Sequence, residues 1–217
     1  MTGEPFEWAG DEDETSRYQI VTSVERKGSE SRQVCLDDGS FFLLSDEQCL
    51  NLGVREGVEI SIVALRDAHE AHEAARALEK GASLIAARDH ARRELERKLV
   101  QRGFSASAIE HALSRLEEYG YLDDARFAEA YIRERLRRHP EGRMALAAGL
   151  SKRGVERSVA ERVLDEIVEG EVELDALDRA ARKLSSDGRE ANKLSAALLR
   201  RGFAPASVRA WIRDHEI

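Results

Sequence analysis

Basic side chains gather at four places along the chain: Arg88, Arg92, Arg93, Arg97, Lys98 and Arg102; Arg133, Arg135, Arg137, Arg138 and Arg143; Lys152 and Arg153; and Arg200 and Arg201. The planar guanidinium fork binds carboxylate and phosphate oxygens bidentately, so such clusters suit an acidic protein surface or a nucleic-acid backbone. Arg92 with Arg93 and Arg137 with Arg138 are adjacent pairs, which fan over a helix surface rather than forming one stripe. Glu94, Glu96 and Glu134 stand close by, and a charge-balanced, solvated helix face accounts for any single arginine. It accounts less well for the whole set.

Signals for catalysis are weak. There is no glycine-rich phosphate loop, no Gly-x-Ser-x-Gly elbow and no His-Glu-x-x-His. Asp123-Asp124 could hold Mg²⁺, but helix capping explains both carboxylates and no motif places a third beside them. His69 and His72, with Glu70 and Glu73, could share a helix face as metal ligands, yet a pair without further ligands is more often plain helix surface. Cys35 and Cys49 make neither a disulfide framework nor a metal-site spacing and read as small buried hydrophobes. No catalytic residue, metal or cofactor is assigned, and the expectation is a protein that is not an enzyme.

The elements that must position the basic clusters follow from composition and pattern. Charged residues make up 35% of the 217 and aromatics 6%, a balance that favours a helix-rich protein over a β-sandwich. The net charge of −8 is unevenly spread: residues 1–70 carry 6 basic and 16 acidic side chains, the remainder 28 and 26. An acidic total therefore does not exclude a polyanion-binding face in the second part. No stretch reaches the length of a membrane helix, and Met1 to Trp8 lack the features of a signal peptide, so a reduced, cytoplasmic setting is expected.

Residues 1–16, with six acids and only Phe6 and Trp8 as large apolar groups, read as a disordered acidic tail. Residues 17–65 read as a small β-rich module. Strands are expected at Tyr18–Val24, Gln33–Leu36, Phe41–Leu44 and Val58–Ile62, with a tight turn at Asp38-Gly39. Ser45 with Gln48 forms a capping box for a short helix that Gly53 ends. Beyond Leu65 the pattern is helical, and it repeats. Leu-x-x-x-Leu-x-x-Arg-Gly-(Phe/Val) occurs at Leu95 to Phe104, Leu146 to Val155 and Leu194 to Phe203, with the glycines 51 and 48 residues apart. Each glycine sits where a left-handed residue closes a helix, leaving the next residue free to pack back on the leucine four before the glycine. Ser105 and Pro205 suit the start of a following helix. The chain thus divides into three helical repeats, 66–122, 123–172 and 173–217, whose first helices are expected near 66–88, 124–138 and 174–185.

Ala87-Arg88-Asp89-His90, Glu94-Leu95 through Arg102-Gly103-Phe104, Gly120-Tyr121-Leu122-Asp123-Asp124 on to Phe127, Tyr131 and Arg133, and Arg153-Gly154-Val155 together resemble the RecX family of recombination regulators. The resemblance is strong over about residues 70–170 and looser over 174–217. One departure is Ala91, where a capping serine is usual; its loss should weaken that helix start by ~1 kcal/mol. The resemblance implies tandem three-helix repeats forming an elongated, curved solenoid behind the β module. It further implies a monomer that lies in the groove of a RecA–single-stranded DNA filament, where it restrains assembly, ATP hydrolysis, strand exchange and repressor co-cleavage. The partner-binding candidates are then Arg88, Arg92, Arg93, Arg97, Lys98, Arg102, Arg133, Arg137, Arg138, Arg143, Lys152, Arg153, Arg200 and Arg201, with weak direct DNA binding beside them. Other readings are a general nucleic-acid-binding repeat protein, a pure scaffold and a helix-turn-helix reader of DNA sequence. Ser105-Ala106-Ser107, Glu156-Arg157-Ser158 and Ala204-Pro205-Ala206 are poor base readers, which counts against the last.

Overall fold

The computed structural model describes residues 18–185 and 191–215, so the expected acidic tail lies outside the described residues. The chain divides into two compact units, one running from the first strand to Leu78 together with Phe104–Ala112, the other made of Glu79–Gly103 and the residues from Leu113 onward.

The first unit is built on an antiparallel sheet of β1 (Tyr18–Lys27), β2 (Ser31–Leu36), β3 (Phe41–Leu44) and β4 (Glu59–Ser61) in the order β3-β2-β1-β4. Val24 faces Val34 and Val34 faces Phe42, so one pleated face supplies a core with Val21, Leu36, Leu44 and Ile60. Asp38 makes the β2–β3 turn by accepting the Ser40 N–H (2.8 Å) and hydroxyl (2.6 Å), with Gly39 at φ 84°. The Ser45/Gln48 box caps α1 (Asp46–Asn51) as its sequence predicts. Helix α2 (Ile62–Ala87) starts four residues ahead of the expected 66, because the chain passes directly from β4 into helix with the Ser61 hydroxyl 3.5 Å from the Ala64 N–H.

His69 and His72 tie this helix to the sheet. His72 Nε2 lies 2.8 Å from Ser31 Oγ, and His69 Nδ1 lies 3.1 Å from the Leu43 nitrogen and 3.0 Å from its oxygen. Burial pushes the His72 pKa down, which keeps the ring neutral in this role. Both histidines are structural staples, and no group of three metal-ligating side chains occurs among the described residues. Cys35 and Cys49 are half-buried rather than enclosed.

Among the described residues the second unit has helices and their links and no strand. It holds the end of α2, α3 (Arg92–Val100), the end of α4 (Ala106–Glu118), α5 (Asp124–Arg138), α6 (Arg143–Arg153), α7 (Arg157–Ile167), α8 (Glu171–Ser185), α9 (Ala191–Arg200) and α10 (Pro205–Asp214). Ile132, Leu136, Leu146, Leu150, Leu164, Leu177, Leu194, Leu198, Phe203 and Trp211 form its continuous core, and the repeated leucines are fully buried. Gly81 makes room inside α2: a Cβ there would stand 2.8 Å from Leu116 Cδ1. The three Arg-Gly corners all turn through the left-handed region, at φ 80°, 88° and 82°. At the second, the Gly154 N–H donates to Ser151 and the Val155 N–H to Leu150, and at the third Gly202 and Phe203 repeat the pattern on Leu199 and Leu198. These are the paired bonds of a Schellman closure. No helix among the described residues is long and apolar enough to cross a membrane.

Candidate functional site

Members of the basic clusters flank two joints of similar construction in the second unit. The first turn of α3 has no side-chain cap of its own, because Ala91 stands at the N-cap. The Arg92 N–H instead donates to Asp124 Oδ1 at 2.7 Å, 32 residues along the chain. Asp123 caps α5 in the ordinary way, accepting from the N–H groups of Ala125 and Arg126. Neighbouring aspartates thus cap two different helices, and the stabilisation missing from Ala91 comes from α5. Burial raises the Asp124 pKa against the pull of the Arg92 N–H.

The second Arg-Gly corner then seats on the same turn, so closely that a Cβ on Gly154 would lie 2.6 Å from Arg93 Cβ. At α6 the N-cap is Gly142, again without a side chain to offer. The Gly142 N–H donates to the Arg201 carbonyl at 2.9 Å and the Met144 N–H to that of Gly202 at 3.2 Å. Carbonyls at the end of α9 thereby satisfy orphan donors at the start of α6. Protein acceptors thus take part of each helix N-terminus, and the side chains around them remain the main candidates for contact.

The first joint sets the chain just after Lys152 and Arg153 against Arg93, and the second sets the chain just before Arg143 against the Arg201 carbonyl. Six of the candidates are neutralised locally. Arg88 pairs with Glu94, Arg92 with Glu117 (2.9 Å), Arg133 with Glu129, Arg137 (2.7 Å) and Arg138 with Glu134, and Arg143 with Asp165 (2.6 Å). Glu134 serves two arginines, which hold its carboxyl below the usual range. Arg153 lies over the Tyr131 ring at 4.4 Å and donates to the Gly149 carbonyl. Tyr131 can lie there only because residue 149 is glycine: a Cβ would meet its hydroxyl at 2.1 Å. Arg102 turns back on the Lys98 carbonyl at 2.6 Å. Arg93, Arg97, Lys98, Lys152, Arg200 and Arg201 have no carboxylate within 4.0 Å among the described residues.

The structure gives specific roles to residues that the sequence shows only as members of a cluster or motif, or not at all. Arg135 is held by Glu141 across the α5–α6 link. His90 is buried, with Nδ1 3.3 Å from Glu94 Oε2 but outside hydrogen-bonding geometry, and burial lowers its pKa. The motif Ala87-Arg88-Asp89-His90 therefore builds an Arg88–Glu94–His90 cluster that shapes the link into α3. Tyr119 and Tyr121, flanking Gly120, stand half out in solvent. The sequence signal for them was the aromatic pair astride a helix-closing glycine.

Residues 77–116 match the first three-helix domain of RecX and residues 123–164 the second. The regulatory protein RecX of Halorhodospira halophila is 40% identical over 134 residues, covering 58% of this chain and 80% of that protein. The chain belongs to the RecX family. The regulatory protein RecX of Caldanaerobacter subterraneus is 29% identical over 184 residues, 85% of this chain and 93% of the relative, so likeness to RecX extends well past the two matched domains. Among solved structures, a crystal structure of regulatory protein RecX covers 90% of this chain with a TM-score of 0.65 at 19% identity. That of RecX from Lactobacillus salivarius covers 66% with a TM-score of 0.61 at 21% identity. At such identities the likeness is one of fold: a mainly helical chain with RecX three-helix domains and a small N-terminal antiparallel sheet.

Proposed function

We propose that this chain is a non-enzymatic regulator that binds the filament of a RecA-type recombinase on single-stranded DNA. It modulates, and mostly restrains, assembly, ATP hydrolysis, strand exchange and repressor co-cleavage. Family membership supports the regulatory role. One observation carries the contact assignment: Arg93, Arg97, Lys98 and Lys152 are left without carboxylate partners around the joint where Gly154 meets α3. On this reading the three repeats, 66–122, 123–172 and 173–217, act as a cytoplasmic monomer. Their free cations meet acidic or phosphate groups in the filament groove, and weak binding to bare DNA accompanies this.

The paired arginines play a smaller part. Arg133, Arg137 and Arg138 would have to leave Glu129 or Glu134 to bind a partner, and exposed pairs of this kind contribute only about 0–1 kcal/mol. Such exchange is open to them but adds little net affinity.

The test is the DNA-dependent ATPase of a RecA-type recombinase on preformed single-stranded filaments, titrated with this protein beside its binding to the same DNA alone. Inhibition at substoichiometric protein with weak bare-DNA binding is expected, and Arg93→Glu with Lys152→Glu should weaken it while helical circular dichroism stays unchanged. Tight DNA binding with no effect beyond competition would leave a general nucleic-acid-binding repeat protein in its place.

A further inference from the structure

Tyr119 and Tyr121 are 52% and 58% exposed, among the largest apolar surfaces the second unit shows to solvent. Neither belongs to the core; Leu116 and Leu122, at 1% and 3% exposure, fill that place at this corner. Both rings are nevertheless held. Gly120, at φ 69°, closes α4 and sets them edge to face with centroids 6.2 Å apart. The Arg115 guanidinium lies 4.6 Å over the Tyr119 ring and hydrogen-bonds its hydroxyl. Arg126 donates to the Tyr121 carbonyl at 3.1 Å. Side chains so constrained lose little freedom when a ligand covers them.

The charge around the pair has a direction. Each carboxylate of the corner is already engaged: Glu117 by Arg92, Glu118 by Arg115, Asp123 by the N–H groups of Ala125 and Arg126, and Asp124 by the Arg92 N–H. The cations are not all so engaged. Arg126, Arg93 and Lys152 have no carboxylate within 4.0 Å among the described residues. Arg93 follows Arg92, which binds this corner twice, and Lys152 stands two residues before Gly154, where a Cβ would lie 2.6 Å from Arg93 Cβ. Rigid aromatic faces beside unneutralised cations complement unstacked bases joined by phosphates.

We propose that Tyr119 and Tyr121 form a base-stacking site for single-stranded nucleic acid, with Arg126, Arg93 and Lys152 meeting the flanking phosphates. The site deepens the filament reading above and rests on it. Duplex DNA keeps its bases stacked on one another and gains nothing from the rings, so the site selects single strands.

The experiment uses the full chain and two probes, an oligothymidylate carrying one 5-iodouracil and a duplex of equal length. Photo-crosslinks to the single strand are expected to map to Tyr119 or Tyr121. Tyr119→Ala and Tyr121→Ala should each weaken single-strand binding by roughly five- to 150-fold while duplex binding is unchanged. Tyr→Phe at either position should keep most of the affinity, because the ring face survives, and circular dichroism should show intact helix throughout. Equal losses on single strand and duplex, no loss, or Phe behaving like Ala would overturn the site.

The recombinase ATPase, followed in parallel, separates this failure from that of the filament reading. Wild type that inhibits the recombinase while both alanine variants bind the oligonucleotide normally would sink the stacking site and leave the filament reading standing. Tyrosine-dependent binding without any effect on the recombinase would do the reverse. Alanine variants that lose inhibition yet bind oligonucleotide as wild type does would assign the rings to a protein surface, again overturning the site.

Discussion

Gly103 and Gly202 close helices in the same Arg-Gly-Phe sequence and with almost the same dihedral, φ 80° and 82°. Their surroundings differ completely. A Cβ on Gly103 would find no atom within 4 Å, whereas one on Gly202 would stand 2.2 Å from the Ala145 nitrogen. Gly142 opposite is equally tight: a Cβ there would stand 2.3 Å from the Gly202 oxygen. The first corner needs glycine only for its dihedral. The third needs it also because two backbones meet there with no side chain between them. Gly154 is intermediate, resting on the Cβ of Arg93 rather than on backbone. A repeat motif read from sequence therefore reports helix closure everywhere, and its role as a joint has to be found in space.

That ordering can be broken by substitution. Gly202→Ala should have the largest effect, about 3 kcal/mol or more, since left-handed strain adds to a clash with backbone that cannot yield cheaply. Gly154→Ala should lose about 2 kcal/mol, because α3 must shift at Arg93. Gly103→Ala should lose only about 1 kcal/mol, the dihedral term alone. Urea unfolding of the three variants checks the series, and equal losses at Gly103 and Gly202 would refute the distinction.

Asp124 sharpens the comparison from the other side of the first joint. Asp124→Ala leaves the Arg92 N–H without its acceptor and should lose about 1 kcal/mol, while Asp124→Asn keeps an oxygen there and should lose less. Because burial raises the Asp124 pKa, the folded chain holds this proton to higher pH than the unfolded chain does. Its contribution to stability falls as pH rises through the window just above the ordinary carboxylate range, and Asp124→Asn should remove that fall. Stability against pH, wild type beside the variant, reads it directly. The smallest effect is expected at Glu134→Gln. The two ion pairs are exposed, so stability should hardly move, and any change should shrink further with added salt.

Much of the fold is legible in local pattern. The Ser45/Gln48 box, the Asp38-Gly39 turn and the corner glycines each depend on residues within a few positions, and the structure has all of them. So do the Arg133–Glu129 and Arg138–Glu134 pairs, spaced one helical turn apart. What stayed hidden depends on distance in space. Nothing near Ala91 reveals that Asp124 supplies its cap, nothing near His72 points to Ser31, and nothing near Gly142 points to Arg201. Tyr119 and Tyr121 escaped for another reason, since two rings astride a helix-closing glycine show no periodicity that tells a surface ring from a core one.

Tyr131 and Gly149 constrain one another across generations. A helix interior prefers alanine to glycine by about 1 kcal/mol, so on helix propensity alone position 149 should drift to alanine. It cannot while Tyr131 lies where a methyl group would go, and a smaller residue at 131 would deprive Arg153 of the ring beneath it. The three positions are therefore expected to covary as a set. In descendants of this chain, alanine at 149 should arrive together with a short side chain at 131 and with relaxed choice at 153.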